Sequence, residues 1–284
     1  MKKFNFIFIL AFIFGGCFNT KSDIQEIDSF KEVKTILENI DPQTLVIFDI
    51  DDTLLAPENI QFQKWFLKTK KGQMFDKAIE THVKIQENPT EYGKVLEAKS
   101  MRNSQPILIE PINADIIHEL QNQNIKTIAL THCSTGSAGR DIIPSLPKWR
   151  YEKLKNNGID FSPSFGSQEI VFEHMTSKVG RHPVFYKGIL LTDAFSKGEV
   201  LSAFLNRVNW KPKKVIFFDD GLKYLTSVKD EIKKHNIPFQ GYLYKGAQSL
   251  PKEIDEEILE IQLQHLKKHD EFLSDKDAYK RLVK

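Results

Sequence analysis

Five aspartates fall into two tight groups, each straight after an apolar run. Asp49, Asp51 and Asp52 follow Leu45 to Phe48, and Asp219 and Asp220 follow Val215 to Phe218. Carboxylates crowded in this way oppose each other's ionisation unless a cation or hydrogen-bond donors hold them. A hard cation with oxygen ligands would do so, and Mg2+ is the usual one. In an open parallel sheet, the carboxyl ends of the strands are also where ligands bind. Two more residues stand at matching places: Thr131 follows the strand-like stretch Ile125 to Leu130, and Lys197 opens the helical stretch before the second acidic group. The plainer alternative for the first group is a helix start with acidic capping residues.

The elements that must position these residues alternate between strand and helix. Unbroken apolar runs at 45–48 and 215–218 read as strands buried on both faces of a parallel sheet, and Ile125 to Leu130 reads as another buried strand. Gln240 to Tyr244 reads as a further strand. Phe30, Val33, Ile36, Leu37 and Ile40 predict a helix over 29–40, ended by Asp41-Pro42. Pro111 to Gln123 and Pro147 to Asn157 predict two more, the second stopped by Gly158. Residues 57–109 read as a helical insert with Phe62, Trp65, Phe66, Phe75, Ile79, Val83 and Leu96 at helical spacing. His82 is expected to pack in that stripe. Ile170 to Phe172 and Val184 to Leu191 predict an accessory β-hairpin, with His174 and His182 on exposed loops, and residues 252–284 predict a charged helix.

Read in order, Asp49-x-Asp51-x-Thr53, Thr131, Lys197 and Asp219-Asp220 resemble the four signatures of the haloacid dehalogenase superfamily, over about residues 45–245 apart from the insert. The resemblance extends to an exported bacterial branch. It implies an α/β fold, a Rossmannoid three-layer parallel sheet with a helical cap inserted after the first strand. It also implies a Mg2+-dependent phosphomonoester hydrolase acting on a small phosphorylated metabolite through an aspartyl-phosphate. In that reading Asp49 is the nucleophile and Asp51 the general acid and base. Thr131 and Lys197 hold the phosphoryl group. Asp49, Asp219, Asp220 and the main-chain carbonyl of Asp51 hold the metal. Asp52 is expected to be a helix-start acid and Thr53 a brace for the loop. Lys187 is the rival cation to Lys197, but alternation along its strand gives it no reason to face the sheet end. His132 and Cys133 are neighbours on an extended segment, so their side chains should diverge rather than pair. Two other outcomes are a phosphotransferase and a surface lipoprotein that uses the fold for binding alone.

Length and charge agree with one large domain carrying an insert. The chain has 284 residues, 27% charged and 40% hydrophobic, with a formal net charge of +2. Lys2 and Lys3 account for that excess, so no basic stripe favours a nucleic-acid partner. They precede an apolar run from Phe4 to Phe14 and then Gly15-Gly16-Cys17. This is the layout of a secretory signal over residues 1–17, and the apolar part is about half the ~20 residues a membrane-spanning helix needs. The ending resembles a bacterial lipoprotein cleavage box, although Phe14 departs from the aliphatic residue preferred there. It implies export to the periplasm or outer membrane, with a lipid on Cys17 as the membrane anchor. Cys133 is the only other cysteine, which leaves no disulfide to form.

Overall fold

The computed structural model describes residues 23–283. The expected signal segment and Cys17 lie outside them. In chain order the elements are β1 (Ile24–Ile27), α1 (Lys34–Leu37), β2 (Thr44–Phe48), β3 (Leu55–Pro57), α2 (Lys64–Leu67), α3 (Lys70–Lys84), α4 (Pro89–Asn103), β4 (Pro106–Leu108), α5 (Ile112–Asn122) and β5 (Lys126–Thr131). Then come α6 (Leu146–Asn156), β6 (Glu169–Val171), β7 (Val184–Tyr186), β8 (Ile189–Leu191), α7 (Lys197–Arg207), β9 (Lys214–Asp219), α8 (Leu222–Lys234), β10 (Phe239–Tyr244), α9 (Glu256–His269) and α10 (Asp275–Leu282).

One eight-stranded sheet among the described residues has the order β1-β10-β9-β2-β5-β8-β7-β6. Its strands run parallel from β1 to β8, and β7 and β6 continue it antiparallel. The fold is therefore α/β, a mostly parallel sheet flanked by helices. Strand alternation divides the core. Val46, Phe48, Ile216 and Phe218 pack with α5 and α6, while Leu45, Ile47, Val215 and Phe217 pack with α7 and α8. On the first face Phe48 stacks on Phe218 at 5.3 Å, and Phe218 on Tyr242 at 4.8 Å. Such offset pairs add about 0.5–1.5 kcal/mol each beyond their burial.

Three expectations about the elements need correction, and one pairing is added to them. Over 29–40 a short 3-10 turn, Phe30–Glu32, and α1 replace one helix. Ser29 and Glu32 close a capping box on that turn, and Val33, at φ −111°, separates it from α1. The strand expected over Val184–Leu191 is two strands, β7 and β8, joined by a turn at Lys187 (φ 47°) and Gly188 (φ 85°). A Cβ at Gly188 would lie 2.3 Å from the Phe161 carbonyl oxygen, so the turn needs glycine for space as well as for its dihedrals. The tail is two helices, broken where Asp270 adopts the left-handed conformation. Finally, β3 and β4 pair antiparallel and tie together the two roots of the insert.

The insert does not stand alone. Tyr92 donates to Asp270 at 2.5 Å, and the Ile60 amide donates to Asp275 at 3.0 Å. Asn59 accepts from the Asp275 amide at 3.1 Å, and Phe62 meets Phe272 edge-on at 5.1 Å. The C-terminal helices thus pack on the insert and form one helical layer with it. No helix among the described residues is long and apolar enough to cross a membrane.

Helix α7 sits tightly on α8. A Cβ on Gly198 would lie 2.3 Å from the Ser227 carbonyl oxygen, which is backbone and cannot swing aside. Gly198→Ala should therefore force the two helices apart at the root of Lys197 and cost about 1–3 kcal/mol. Thermal unfolding followed by circular dichroism tests this, and an unchanged Tm would refute the close packing.

Candidate functional site

The β2–β9 register pairs Phe48 with Phe218, so Asp49 and Asp219 leave neighbouring strands at the same level. The Asp49 amide donates to the Phe218 carbonyl at 2.8 Å and locks that level. Alternation sends Asp49 to the face of Leu45 and Ile47, and Asp219 to the face of Val215 and Phe217. Both carboxylates therefore point to the side of α7. There the Lys197 Nζ donates to Asp49 Oδ1 at 2.5 Å and to Asp219 Oδ2 at 2.6 Å. Lys197 is completely buried, beneath the Tyr224 ring at 4.5 Å. It is placed by a capped helix start: Ser196 accepts from the Glu199 amide, and Glu199 reaches back to the Ser196 amide.

The remaining oxygens are held less tightly. Thr53 Oγ1 lies 3.4 Å from Asp49 Oδ2, the role expected of it as a loop brace. The Gly221 amide donates to Asp219 Oδ1 at 2.8 Å. Ligand oxygens of Asp49, Asp219 and Asp220 lie within 4.8 Å of one another, close enough to share one cation. The Asp51 carboxylate is not in that group. Arg150 grips it in a fork at 2.7 and 3.0 Å on the other side of the loop, so the Asp51 side chain, as distinct from its carbonyl, is no metal ligand here. Thr131 ends β5, buried and level with Ile50. Alternation sets it with Ala129 on the face opposite Asp49, although both close their strands at the same rim.

Two cations escaped the sequence reading. Lys64, at the start of α2, bridges Asp52 at 2.6 Å and Asp220 at 2.9 Å, so the root of the insert is tied to both acidic groups. Asp52 is accordingly an ion-pair partner rather than a capping acid. Nothing in the sequence around Lys64 marks it. Arg150 did leave a signal: with Leu146 and Leu154 it forms an i, i+4, i+8 stripe on α6, and a charge inside a buried stripe needs a partner. The rival Lys187 lies over the rings of Tyr151 and Tyr186, at the hairpin turn. His132 bonds Thr192 at 3.0 Å, and the Cys133 sulfur takes a contact from Arg150 at 3.7 Å, so these two neighbours do diverge. His82 bonds Tyr92 at 3.0 Å inside the insert.

Charge at the site does not balance within the protein. Asp49, Asp51, Asp52, Asp219 and Asp220 face Lys64, Arg150 and Lys197, and five carboxylates against three cations leave two negative charges. The donors are all hard oxygens, and the deficit equals one divalent ion, so the residues present fit a magnesium-like metal. Without one, burial pushes Asp49 up to about 8 from its ordinary 3.8, against the pull of Lys197 and with the help of Asp219. Burial raises Asp219 as well.

Comparison with known proteins gives the family. A family model described as "Protein of unknown function (DUF2608)" matches residues 26–279. An uncharacterised protein of Rickettsia prowazekii is 28% identical over 256 residues, which is 89% of this chain and 88% of its own. An uncharacterised protein of Rickettsia typhi is 35% identical over 134 residues, 46% of this chain and 45% of its own. A Chlamydia trachomatis protein provisionally named an outer membrane protein is 24% identical over 251 residues, 84% of each. No solved structure matches. The haloacid dehalogenase assignment is thereby overturned: the matching family is DUF2608. The motif that suggested it is a handful of strand-end residues, and the need to hold charge at a strand end selects such residues on more than one lineage.

The raised carboxyl has a measurable consequence. A folded-state pKa above the unfolded one means that the native protein keeps a proton which the unfolded chain has released. Stability in divalent-free buffer should therefore fall as pH rises from about 4 to about 8. Asp49→Asn, which cannot ionise, should flatten that fall. Melting curves across this window decide it, and equal slopes in both proteins would refute the assignment.

Proposed function

The chain belongs to the DUF2608 family, and within it we propose a metal-dependent phosphomonoester hydrolase that works through Asp49. The observation that carries this reading is the buried triad in which one ammonium, Lys197, holds two strand-end carboxylates at 2.5 and 2.6 Å. A phosphate monoester is an anion that repels nucleophiles, and its uncatalysed hydrolysis is among the slowest known. Lys197 fixes one oxygen of Asp49 and leaves Oδ2, with only Thr53 at 3.4 Å, to attack phosphorus. The same ammonium offsets charge gathering on the phosphoryl oxygens. Asp49, Asp219 and Asp220 would hold a Mg2+ ion, which when bound neutralises phosphoryl charge.

The proposed reaction has two half-steps. In the first, the bond from Asp49 Oδ2 to phosphorus forms as the bond to the alcohol oxygen breaks, and the leaving oxygen takes a proton from Asp51. In the second, Asp51 takes a proton from water, water displaces Asp49, and inorganic phosphate leaves. Arg150 keeps Asp51 beside the rim in both steps, releasing one oxygen of the fork while Asp51 carries the proton. Thr131 is assigned to the phosphoryl oxygens from the neighbouring strand end.

The insert over 57–109 is proposed as the cap of this site. Lys64 reaches from its root to Asp52 and Asp220, and β3 with β4 sets its angle. A cap supports the chemistry by keeping stray water from the aspartyl-phosphate. It also limits the substrate to small phosphorylated molecules. Export is part of the proposal: the basic start, the apolar run and Gly15-Gly16-Cys17 support it, as does the name of the Chlamydia relative. Mass spectrometry of the mature protein should find lipidated Cys17 at its N-terminus, and an unmodified Cys17 or cleavage elsewhere would remove the anchor from the proposal.

Asp49→Asn should lower phosphate release from a small phosphomonoester by about 10⁴ or more, with an unchanged circular dichroism spectrum. EDTA should abolish release by the natural chain, and added Mg2+ should restore it. Turnover at the natural rate in Asp49→Asn would exclude Asp49 as the nucleophile. No turnover by the natural chain with Mg2+ over a broad phosphometabolite panel would leave a binding protein in its place.

A further inference from the structure

A cavity of about 480 Å³ lies between the insert, the start of α6 and the C-terminal segment, and Asp51 and Arg150 are among the residues that line it. Its size falls in the range of small-molecule sites. Its walls are largely apolar, with Phe62, Phe75, Val83, Leu96, Met101 and Phe272 supplied by the insert and the C-terminal segment. A polyol entering it would shed water from hydroxyls that face the apolar part of the wall, which is the larger part.

Asp51, Asp76, Glu97, Ser100 and Ser104 also line the cavity, and three further polar side chains in its walls carry buried atoms without partners. Gln61 is 2% exposed, yet neither its amide nitrogen nor its amide oxygen has a hydrogen bond. The Trp149 ring nitrogen is buried and unpaired too. Arg150 is 8% exposed, and its Nε is unpaired while its two terminal nitrogens hold Asp51. All three side chains line the cavity. A buried amide left without partners is costly, and Gln61 offers one donor and one acceptor side by side. A group of the same kind, an amide or lactam, would meet both, and Trp149 adds a donor for a further acceptor.

We propose that this cavity binds the alcohol part of the substrate, and that this part is a flat or branched apolar body carrying one amide-like donor–acceptor pair, not a sugar or glycerol. The inference rests on the proposed hydrolase reading and names its substrate class. The phosphate would sit at Asp49, and the ester oxygen would pass Asp51, which lines the cavity two residues further along the same loop. Gln61 and Trp149 then orient the body, and the insert selects for shape.

Gly93 gives a way to fill the cavity. It lies on α4 in the cavity wall, and a Cβ there would meet only Val83, at 3.7 Å, an ordinary contact. Replacing a mid-helix glycine also favours the helix. The probes are the phosphate ester of 6-hydroxy-2-naphthamide, 2-naphthyl phosphate without the amide, and glycerol phosphate, each with Mg2+. The naphthamide ester should exceed glycerol phosphate in kcat/KM at least about tenfold, the scale on which a hydrophobic pocket discriminates. Gly93→Phe should cut that ratio by about as much, and Gln61→Leu should remove the preference for the amide over plain naphthyl. Glycerol phosphate turned over as well as the aryl esters, with a ratio indifferent to Gly93→Phe, would overturn the cavity assignment and leave the hydrolase reading standing. If no ester is turned over, the hydrolase reading fails, and calorimetry with unphosphorylated 6-hydroxy-2-naphthamide decides the cavity. Binding weakened by Gly93→Phe would uphold it, and absence of binding to the natural chain would end it. Wild-type selectivity reads the proposal by itself should either variant fail to fold.

Discussion

A buried ammonium between two buried carboxylates is the constraint on which the rest of this structure depends. Lys197 has no exposed surface, and neither does Asp219. An ion so enclosed is tolerated only when paired, and removing one partner of a buried pair typically costs about 3–5 kcal/mol. Every surrounding element serves that pairing. The register of β2 on β9 brings Asp49 level with Asp219. The capping box at Ser196 and Glu199 fixes where α7 begins. The close approach of Gly198 to Ser227 presses that start against α8. A slip of one residue in either strand would turn its carboxylate to the opposite face, where Phe48 and Phe218 stack.

The same electrostatic logic joins the sheet to the helical layer. The strand-end loop carries more acid than Lys197 can balance, and two cations come from elsewhere. Lys64 arrives from the root of the insert and Arg150 from α6, on opposite sides of the loop. The insert is thus held by charge at the site and by β3 with β4 at its base. Its outer side is held by the C-terminal helices through Asp270 and Asp275. The cavity beside it is largely apolar because Phe75, Ile79 and Val83 of α3 and Leu96 and Met101 of α4 line it.

What the sequence determined by itself is local. Buried parallel strands are rich in apolar residues, uninterrupted over 45–48 and 215–218 and over Ile128 to Leu130 in β5, so β2, β5 and β9 are legible, and with them the positions of Asp49, Thr131 and Asp219 at their ends. Helix α7 is legible from the Lys197-Gly198-Glu199 start and its apolar stripe. The insert is legible as helical from residues three and four apart. Short-range signals of this kind depend on neighbours in the chain, and tertiary structure had little room to alter them. They did not carry family identity, because a few strand-end residues report a chemical need and not a lineage.

Tertiary structure decided whatever depends on residues distant in sequence. The edge strand β1 pairs with β10 from the far end of the chain, and a four-residue segment holds no sign of that partner. The break at Lys187 and Gly188 lies against the backbone of Phe161, which leaves no room for a side chain at Gly188. Asp51 was read as part of the acid group from its two-residue spacing, but the fork of Arg150, 99 positions away, draws its carboxylate outward. Lys64 reaches Asp220 across 156 positions. Pattern reading assigns a charged side chain to solvent unless it sits in an apolar stripe. Only the packed chain shows which carboxylate lies within hydrogen-bonding distance, because ion pairing is set by proximity in space and leaves no period in the sequence.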